Sequence, residues 1–287
     1  MIFDGNERLT ASAQIYDTAM FQAVNTIKST YGHTVSLLQK AKSLGKFGYT
    51  GNADNGVRTT VATFGSVATV NVNETYSTTN DIDKIVSSSG SDTETITLEG
   101  HTIDGSGNLT FAVQDVTLTG QTAVTLTTPL ARASRAYVKA GTFASPASDL
   151  VGDIYVFASS GVTVTNGVPQ TSTAVKLRIP AGKNQTEKAA TSISSTDYWI
   201  LTGVKFGLAR DVSTALAEFE VEQRVLGGVW RPFGSIITLS TNQAFIYVPY
   251  NPYRIVTPNT DVRAVVTATA NDTKASALIE GYLVTIE

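Results

Sequence analysis

Ala217-Glu218-Phe219-Glu220-Val221-Glu222 is the stretch whose reading decides the fold. Apolar and acidic residues alternate there with a period of two, the repeat of a pleated strand whose successive side chains point to opposite faces. A helix would instead gather residues three and four apart, mixing carboxylates with apolar groups on each side. The alternation therefore predicts a strand with one packed face and a second face that carries Glu218, Glu220 and Glu222 into water. Gly227-Gly228 follows as a turn into Val229-Trp230.

The same pattern extends outward in both directions. Upstream lie Val57 to Phe64, Thr69 to Asn73, Glu94 to Glu99, Leu109 to Val113, Ala123 to Leu126, Arg135 to Val138, Asp153 to Phe157 and Trp199 to Phe206. Downstream, the series continues through Ala244 to Val248, Val262 to Thr269 and Ala275 to Ile286. Between these runs sit breaks rich in Gly, Asn and Pro, of which Thr165-Asn166-Gly167 suits a type I′ hairpin turn. Many short strands without crossover helices predict a mainly β protein, an antiparallel β-sandwich or jelly-roll-like fold. The break at 181–190, around Ala181-Gly182-Lys183-Asn184, divides two lobes or forms one long loop.

Only the N-terminal stretch departs from this style. Ile15, Ala19, Ala23 and Ile27 recur every four residues, with Tyr16, Met20 and Val24 beside them, as one apolar helical stripe. A second helical pattern runs through Val35, Leu38, Ala41 and Leu44, with Gly45 placed to stop it and Lys40, Lys42 and Lys46 near its negative end. Residues 1–50 thus read as a helical arm, packed on its own domain or docked on a neighbouring subunit, and residues 51–287 as the β-sandwich region.

Composition limits the partners. Apolar residues make up 42% of the 287 and charged residues 16%, with a formal net charge of −3. That balance gives no broad attraction to phosphate backbones, so nucleic acid is not expected as a partner. No run reaches the roughly 18 apolar residues of a membrane span, and no membrane partner is expected. Met1 to Glu7 lacks the basic start and apolar core of an export signal. The absence of Cys fits folding in a reducing cytoplasm.

Catalytic chemistry lacks its usual residues. The two histidines, His33 and His101, lie far apart, stand in no metal-ligand spacing, and read as surface or turn residues. No Gly-x-Ser-x-Gly elbow occurs. Ala181-Gly182-Lys183-Asn184 lacks the upstream glycine and the following Ser/Thr of a phosphate loop, and reads as a plain loop. Asp104, Ser106 and Asn108 alternate like calcium ligands, but Leu109 stands where that loop needs glycine, which makes a polar hairpin turn the better reading. Asp81/Asp83 and Glu218/Glu220/Glu222 are the nearest candidates for a glycosidase pair, which needs a separation of roughly 5–9.5 Å. The sequons at Asn73, Asn108, Asn184 and Asn271 arise readily in a Thr-rich chain. No enzyme, cofactor or metal is expected. Phe245-Ile246-Tyr247-Val248-Pro249-Tyr250-Asn251-Pro252-Tyr253 is unusual, because its prolines suit an edge strand while Tyr247, Tyr250 and Tyr253 offer contact area for a subunit or a glycan.

Ile85-Val86-Ser87-Ser88-Ser89-Gly90-Ser91-Asp92-Thr93 followed by Thr95 to Gly100, Val116 to Thr122, Pro129 to Tyr137 and Val151 to Val156 resembles, in that order, the sequence style of virion structural proteins of tailed bacteriophages. The likeness covers roughly residues 80–160, with a looser echo in Ile179 to Gly182 and Gly281 to Val284. It implies a capsid decoration or cement protein on the virion surface, assembled in the bacterial host cytoplasm. The partners it implies are the major capsid protein and further copies of the chain, a trimer above all. Ile15, Ala19, Ala23, Ile27, Tyr247, Tyr250 and Tyr253 are then the candidate assembly contacts. A head- or tail-fibre module that binds a receptor or glycan is the alternative.

Overall fold

The computed structural model describes residues 41–63, 75–142, 149–209, 215–240 and 245–285. In chain order, β1 (Ala41–Ala53) and β2 (Arg58–Thr60) come first. A middle block follows, with β3 (Ile82–Ser87), β4 (Thr95–Ile103), β5 (Leu109–Thr117), β6 (Val124–Leu130), β7 (Arg132–Val138), β8 (Ile154–Ala158), β9 (Val164–Thr165), β10 (Val168–Pro169) and β11 (Val175–Ile179). The last block holds β12 (Ala190–Ser192), β13 (Asp197–Ala209), β14 (Leu216–Val225), β15 (Arg231–Pro232), β16 (Ile237–Ser240), β17 (Phe245–Val256), β18 (Thr260–Ala268) and β19 (Thr273–Thr285). All pairings between these strands are antiparallel.

Two sandwiches result. In the outer one, a sheet in the order β1-β19-β13-β17 faces a sheet in the order β12-β18-β14-β15, to which β16 and β2 add. Trp199, Phe206, Phe219, Val256, Val266 and Ile279 fill the space between them. Phe206 and Phe219, one from each sheet, stack with centroids 4.9 Å apart, close to the offset arrangement that aromatic pairs prefer. In the inner sandwich, β11-β8-β3-β6 faces β5-β4-β7 around Ile85, Ile96, Leu98, Leu130, Ile154 and Ile179. The unbroken apolar run Ile154-Tyr155-Val156-Phe157 has a simple cause: β8 is buried on both faces. Its reverse side packs Tyr155 and Phe157 under Val164 and Val168 of the β9–β10 hairpin.

That hairpin turns at Asn166 (φ 49) and Gly167 (φ 73), the paired positive angles of a type I′ turn. Gly167 also lies so close to β3 that a Cβ there would stand 1.8 Å from the Ser87 carbonyl oxygen. Next to it, the buried Asp92 carboxylate accepts from Ser87 Oγ at 2.5 Å and from the backbone N–H groups of Val151 and Gly152 at 2.8 and 2.9 Å. The Ser-Ser-Ser segment and the Val-Gly-Asp segment are thus held together by one acid.

The structure corrects the second N-terminal helix. Residues 41–50 pair with β19 in an unbroken register from Ala41↔Val284 to Thr50↔Ala275. The spacing of Leu38, Ala41 and Leu44 is helical, yet the ladder offered by β19 satisfies every second backbone group and outweighs a weak local preference. Gly45 sits within the strand rather than ending a helix, and the division at 50/51 falls inside β1. Val35, Leu38 and the stripe of Ile15, Ala19, Ala23 and Ile27 lie outside the described residues. Sequence 180–189 carries the chain from β11 back to β12, so the outer sandwich draws on both sides of the middle block.

Candidate functional site

Among the described residues, the outer face of the β1-β19-β13-β17 sheet groups several exposed aromatic side chains. Register places Phe47, Leu278, Lys205 and Tyr247 in one row across the four strands, and Tyr49, Ser276, Gly207 and Phe245 in the next. On the other side come Gly45, Glu280, Gly203 and Pro249, then Ser43 and Tyr282. Partners across antiparallel strands share a face, so these side chains form one continuous patch. Phe245 is 60% exposed, Phe47 46%, Tyr247 44% and Tyr282 40%. Large exposed aromatics grouped on one sheet face are the usual mark of an interaction surface.

Local chemistry shapes this patch. Lys205 Nζ meets Glu280 at 2.7 Å and lies 5.5 Å from the centre of the Tyr247 ring. The Tyr247 ring in turn rests on Gly203, where a Cβ would come within 2.7 Å of it. Tyr247 thus packs against the Gly203 backbone while remaining 44% exposed. Among the described residues β17 pairs with β13 alone and so lies at the edge of its sheet, where its prolines are tolerated.

The three tyrosines singled out in the sequence separate here. Tyr247 and Tyr253 are exposed, at 44% and 39%, whereas Tyr250 is 9% exposed and belongs to the outer core. Burial pushes its hydroxyl up to about 12, with Arg254 opposing. Phe47 and Tyr282, on β1 and β19, join the patch through strand pairing that no local pattern signals.

A second feature lies on the opposite sheet, where the acidic alternation placed three carboxylates in water. Glu218 is exposed, but Glu220 and Glu222 are 8% and 5% exposed. Arg58 from β2 bridges them, donating to Glu220 at 3.0 and 2.8 Å and to Glu222 at 2.8 Å. Arg263 donates to Glu222 from the other side at 2.9 Å. These acids are therefore neutralised by arginines rather than hydrated, and hydrogen bonds from Arg58 hold the Glu220 carboxyl below its ordinary value. A pair locked in this way supplies neither the proton donor nor the free nucleophile of a glycosidase.

Further along, the network joins the two sandwiches. Asp261 of β18, fully buried, accepts from Arg132 of β7 at 2.9 and 3.2 Å, from Arg224 at 3.1 Å and from Ser192 at 2.6 Å. Tyr76 and Trp230 cover it: Arg132 and Arg224 lie 4.8 and 4.5 Å from the Tyr76 ring centre, and Arg263 lies 4.0 Å from that of Trp230. An arginine plane stacked on a ring keeps its charge while shedding water.

The remaining motifs resolve simply. His101 is 3% exposed on β4, edge-on to Phe111 with centroids 5.5 Å apart, which corrects the surface or turn reading. Burial brings it down to about 3, so it is neutral at physiological pH. His33 lies outside the described residues. Asp104 Oδ1 accepts from the N–H groups of Ser106 and Asn108 at 2.9 and 2.8 Å, closing a polar hairpin turn. Asp83 accepts from Ser159 N–H and Oγ at 2.9 and 2.7 Å, and Ala181 to Asn184 form a loop turning at Gly182. Among the described residues no cluster of three or more His, Asp or Glu could hold a metal, and no helix is long and apolar enough to cross a membrane.

No family model matches the chain, and no curated protein sequence matches it. Among solved structures, it is similar to the infectious bursal disease virus Gt strain structure at 10% identity and a TM-score of 0.24, covering 86% of this chain and 73% of that one. The T=1 particles derived from the same virus give 11% identity and 0.22 over 86% and 70%, and the Gx strain 9% and 0.23 over 86% and 72%. Overlaps at this level carry no argument for fold or function, which rest on the residues themselves.

Proposed function

We propose that the chain is a virion structural protein, a decoration or cement protein whose aromatic sheet face docks on the major capsid protein of a tailed-bacteriophage-type head. The observation that carries this reading is the row of Phe47, Leu278, Lys205 and Tyr247 beside Phe245 and Tyr282, an aromatic-rich sheet face crossed by the Lys205–Glu280 ion pair. Such a face suits permanent burial more than exchange with solvent. The central sequence resemblance supports the same reading, and homotrimer assembly and a place on the virion surface, after assembly in the bacterial host cytoplasm, belong to it. So does the absence of an enzymatic activity. The stripe Ile15, Ala19, Ala23 and Ile27 is its second contact.

Copy number tests the assignment. Quantitative gels of purified particles should show hundreds of copies per virion, and a Phe245→Ser/Tyr247→Ser chain should lose at least about tenfold in occupancy while melting as the parent does. Absence from particles, or full occupancy by the double variant, refutes it. A head- or tail-fibre module with a glycan-stacking surface is the second reading, favoured by the exposure of Tyr247 beside Gly203. A few copies per particle, with binding of the isolated chain to host cells, would establish it instead.

A further inference from the structure

Between the two sandwiches lies a pocket of about 240 Å³ that the sheet-face reading does not use. β1 contributes Lys42 and Lys46, β4 contributes Glu99 and His101, β5 contributes Phe111, and Ser194 and Asp197 close it at the start of β13. Pockets at the junction of two structural units are the commonest place for a small ligand.

Several polar groups here are buried without a protein partner. Ser194 is 5% exposed and His101 3%, and neither Ser194 Oγ nor His101 Nδ1 has a hydrogen-bond partner among the described residues. Lys46 is 7% exposed and makes no salt bridge or side-chain hydrogen bond among them either. Burial accordingly pushes its ammonium down to about 8, with Glu99 opposing and Arg135 and Lys188 adding to the fall. A buried cation lining a cavity, with two buried orphan groups in the residues of its wall, is costly unless a partner completes it.

We propose that this pocket binds a single acidic sugar unit, a pyranose ring that carries a carboxylate. Lys46, with Lys42 at the mouth, supplies the cationic end. Glu99 and Asp197 supply carboxylate acceptors, which suit hydroxyl donors and repel a simple anion. Ser194 and neutral His101 complete the polar lining. Phe111, 50% exposed on the rim, offers a face for the C–H side of the ring, in the way aromatics contact amphipathic ligands. Phosphate would leave Phe111 unused and meet two carboxylates. A neutral sugar would leave Lys46 uncompensated. The volume, below the roughly 300 Å³ at which drug-sized pockets begin, suits one ring rather than a chain.

Titration calorimetry of the full chain with glucuronate and N-acetylneuraminate, against glucose, acetate and inorganic phosphate, tests this. At least one acidic sugar should bind saturably and at least tenfold more tightly than all three controls. Lys46→Met should lose that binding by tenfold or more, with a melting temperature equal to or above the parent's. Phe111→Ala, altered only on the exposed rim, should weaken it severalfold and decides the matter should Lys46→Met fail to fold. No saturable binding of either acidic sugar overturns the inference. So does phosphate or glucose binding as tightly, or an unchanged affinity in Phe111→Ala and Lys46→Met. The virion assignment stands or falls separately, on copy number.

Discussion

Replacing Asp261 with Ala removes the carboxylate that, among the described residues, neutralises Arg132 across the junction of the two sandwiches. Arg132 is 3% exposed and Asp261 fully buried, and after the change Arg132 keeps, among the described residues, the Ser77 and Ala131 carbonyls as acceptors. Breaking a buried pair from one side leaves an uncompensated charge and costs about 3–5 kcal/mol, about a fifth or more of the roughly 5–15 kcal/mol that holds a typical domain folded. Asp261→Asn preserves shape and part of the hydrogen bonding, and should cost about 2–3 kcal/mol. Arg132→Met/Asp261→Leu removes both charges, and should cost less than the sum of the single changes by about 2 kcal/mol or more. Guanidinium unfolding followed by two probes is the assay. Both tryptophans, Trp199 and Trp230, report on the outer sandwich and the network covering it, while far-ultraviolet circular dichroism reports on all strands. In the parent the two curves should coincide, and in Asp261→Ala they should separate as the sandwiches uncouple. A cost below about 1 kcal/mol for Asp261→Ala, or strict additivity in the double variant, would refute the reasoning.

Two further outcomes follow from packing and ionisation. Gly48→Ala places a Cβ 2.0 Å from the Val61 carbonyl oxygen and 2.2 Å from the Ala189 nitrogen, both backbone atoms, so denaturation should show a loss of about 3 kcal/mol or more. Gly45→Ala, whose nearest contact is Leu278 Cδ1 at 3.6 Å, should stay within about 0.5 kcal/mol. His101, held near 3 by burial, stays neutral when the unfolded chain takes up a proton below about 6.5. Stability therefore falls as pH drops from about 6.5 toward 3, by up to about 1.4 kcal/mol per pH unit. Melting of His101→Leu over the same range should show a shallower decline, and an equal slope in both chains would count against this account.

What the sequence made legible was local. The alternation at Ala217 to Glu222 marks a real strand, and Asn166-Gly167 marks its hairpin because both positive φ angles are demanded by the turn itself. Asp104 to Asn108 likewise closes on its own backbone. The features that escaped all depend on a partner far along the chain. Glu220 and Glu222 look hydrated until Arg58 arrives from β2, 162 and 164 residues earlier. Residues 41–50 look helical until β19 pairs with them, and Tyr250 shares an alternating run with exposed neighbours. The Lys46 pocket is assembled from strands of both sandwiches, none of which carries a motif of its own.

The pairing of β1 with β19 also sets an order of events during synthesis. Asn52 and Asp272, joined by a hydrogen bond, are 220 residues apart, which at roughly 5–20 residues per second separates their emergence from the ribosome by roughly 10–45 s. The middle block can complete its own sheets in that interval, while β1 waits with neither edge paired to its eventual neighbour. Its glycines and lysines, at 42, 45, 46, 48 and 51, make that waiting strand a poor template for pairing with other nascent chains. Lys42 and Lys46 would thus guard the chain before the fold gives them a pocket to line.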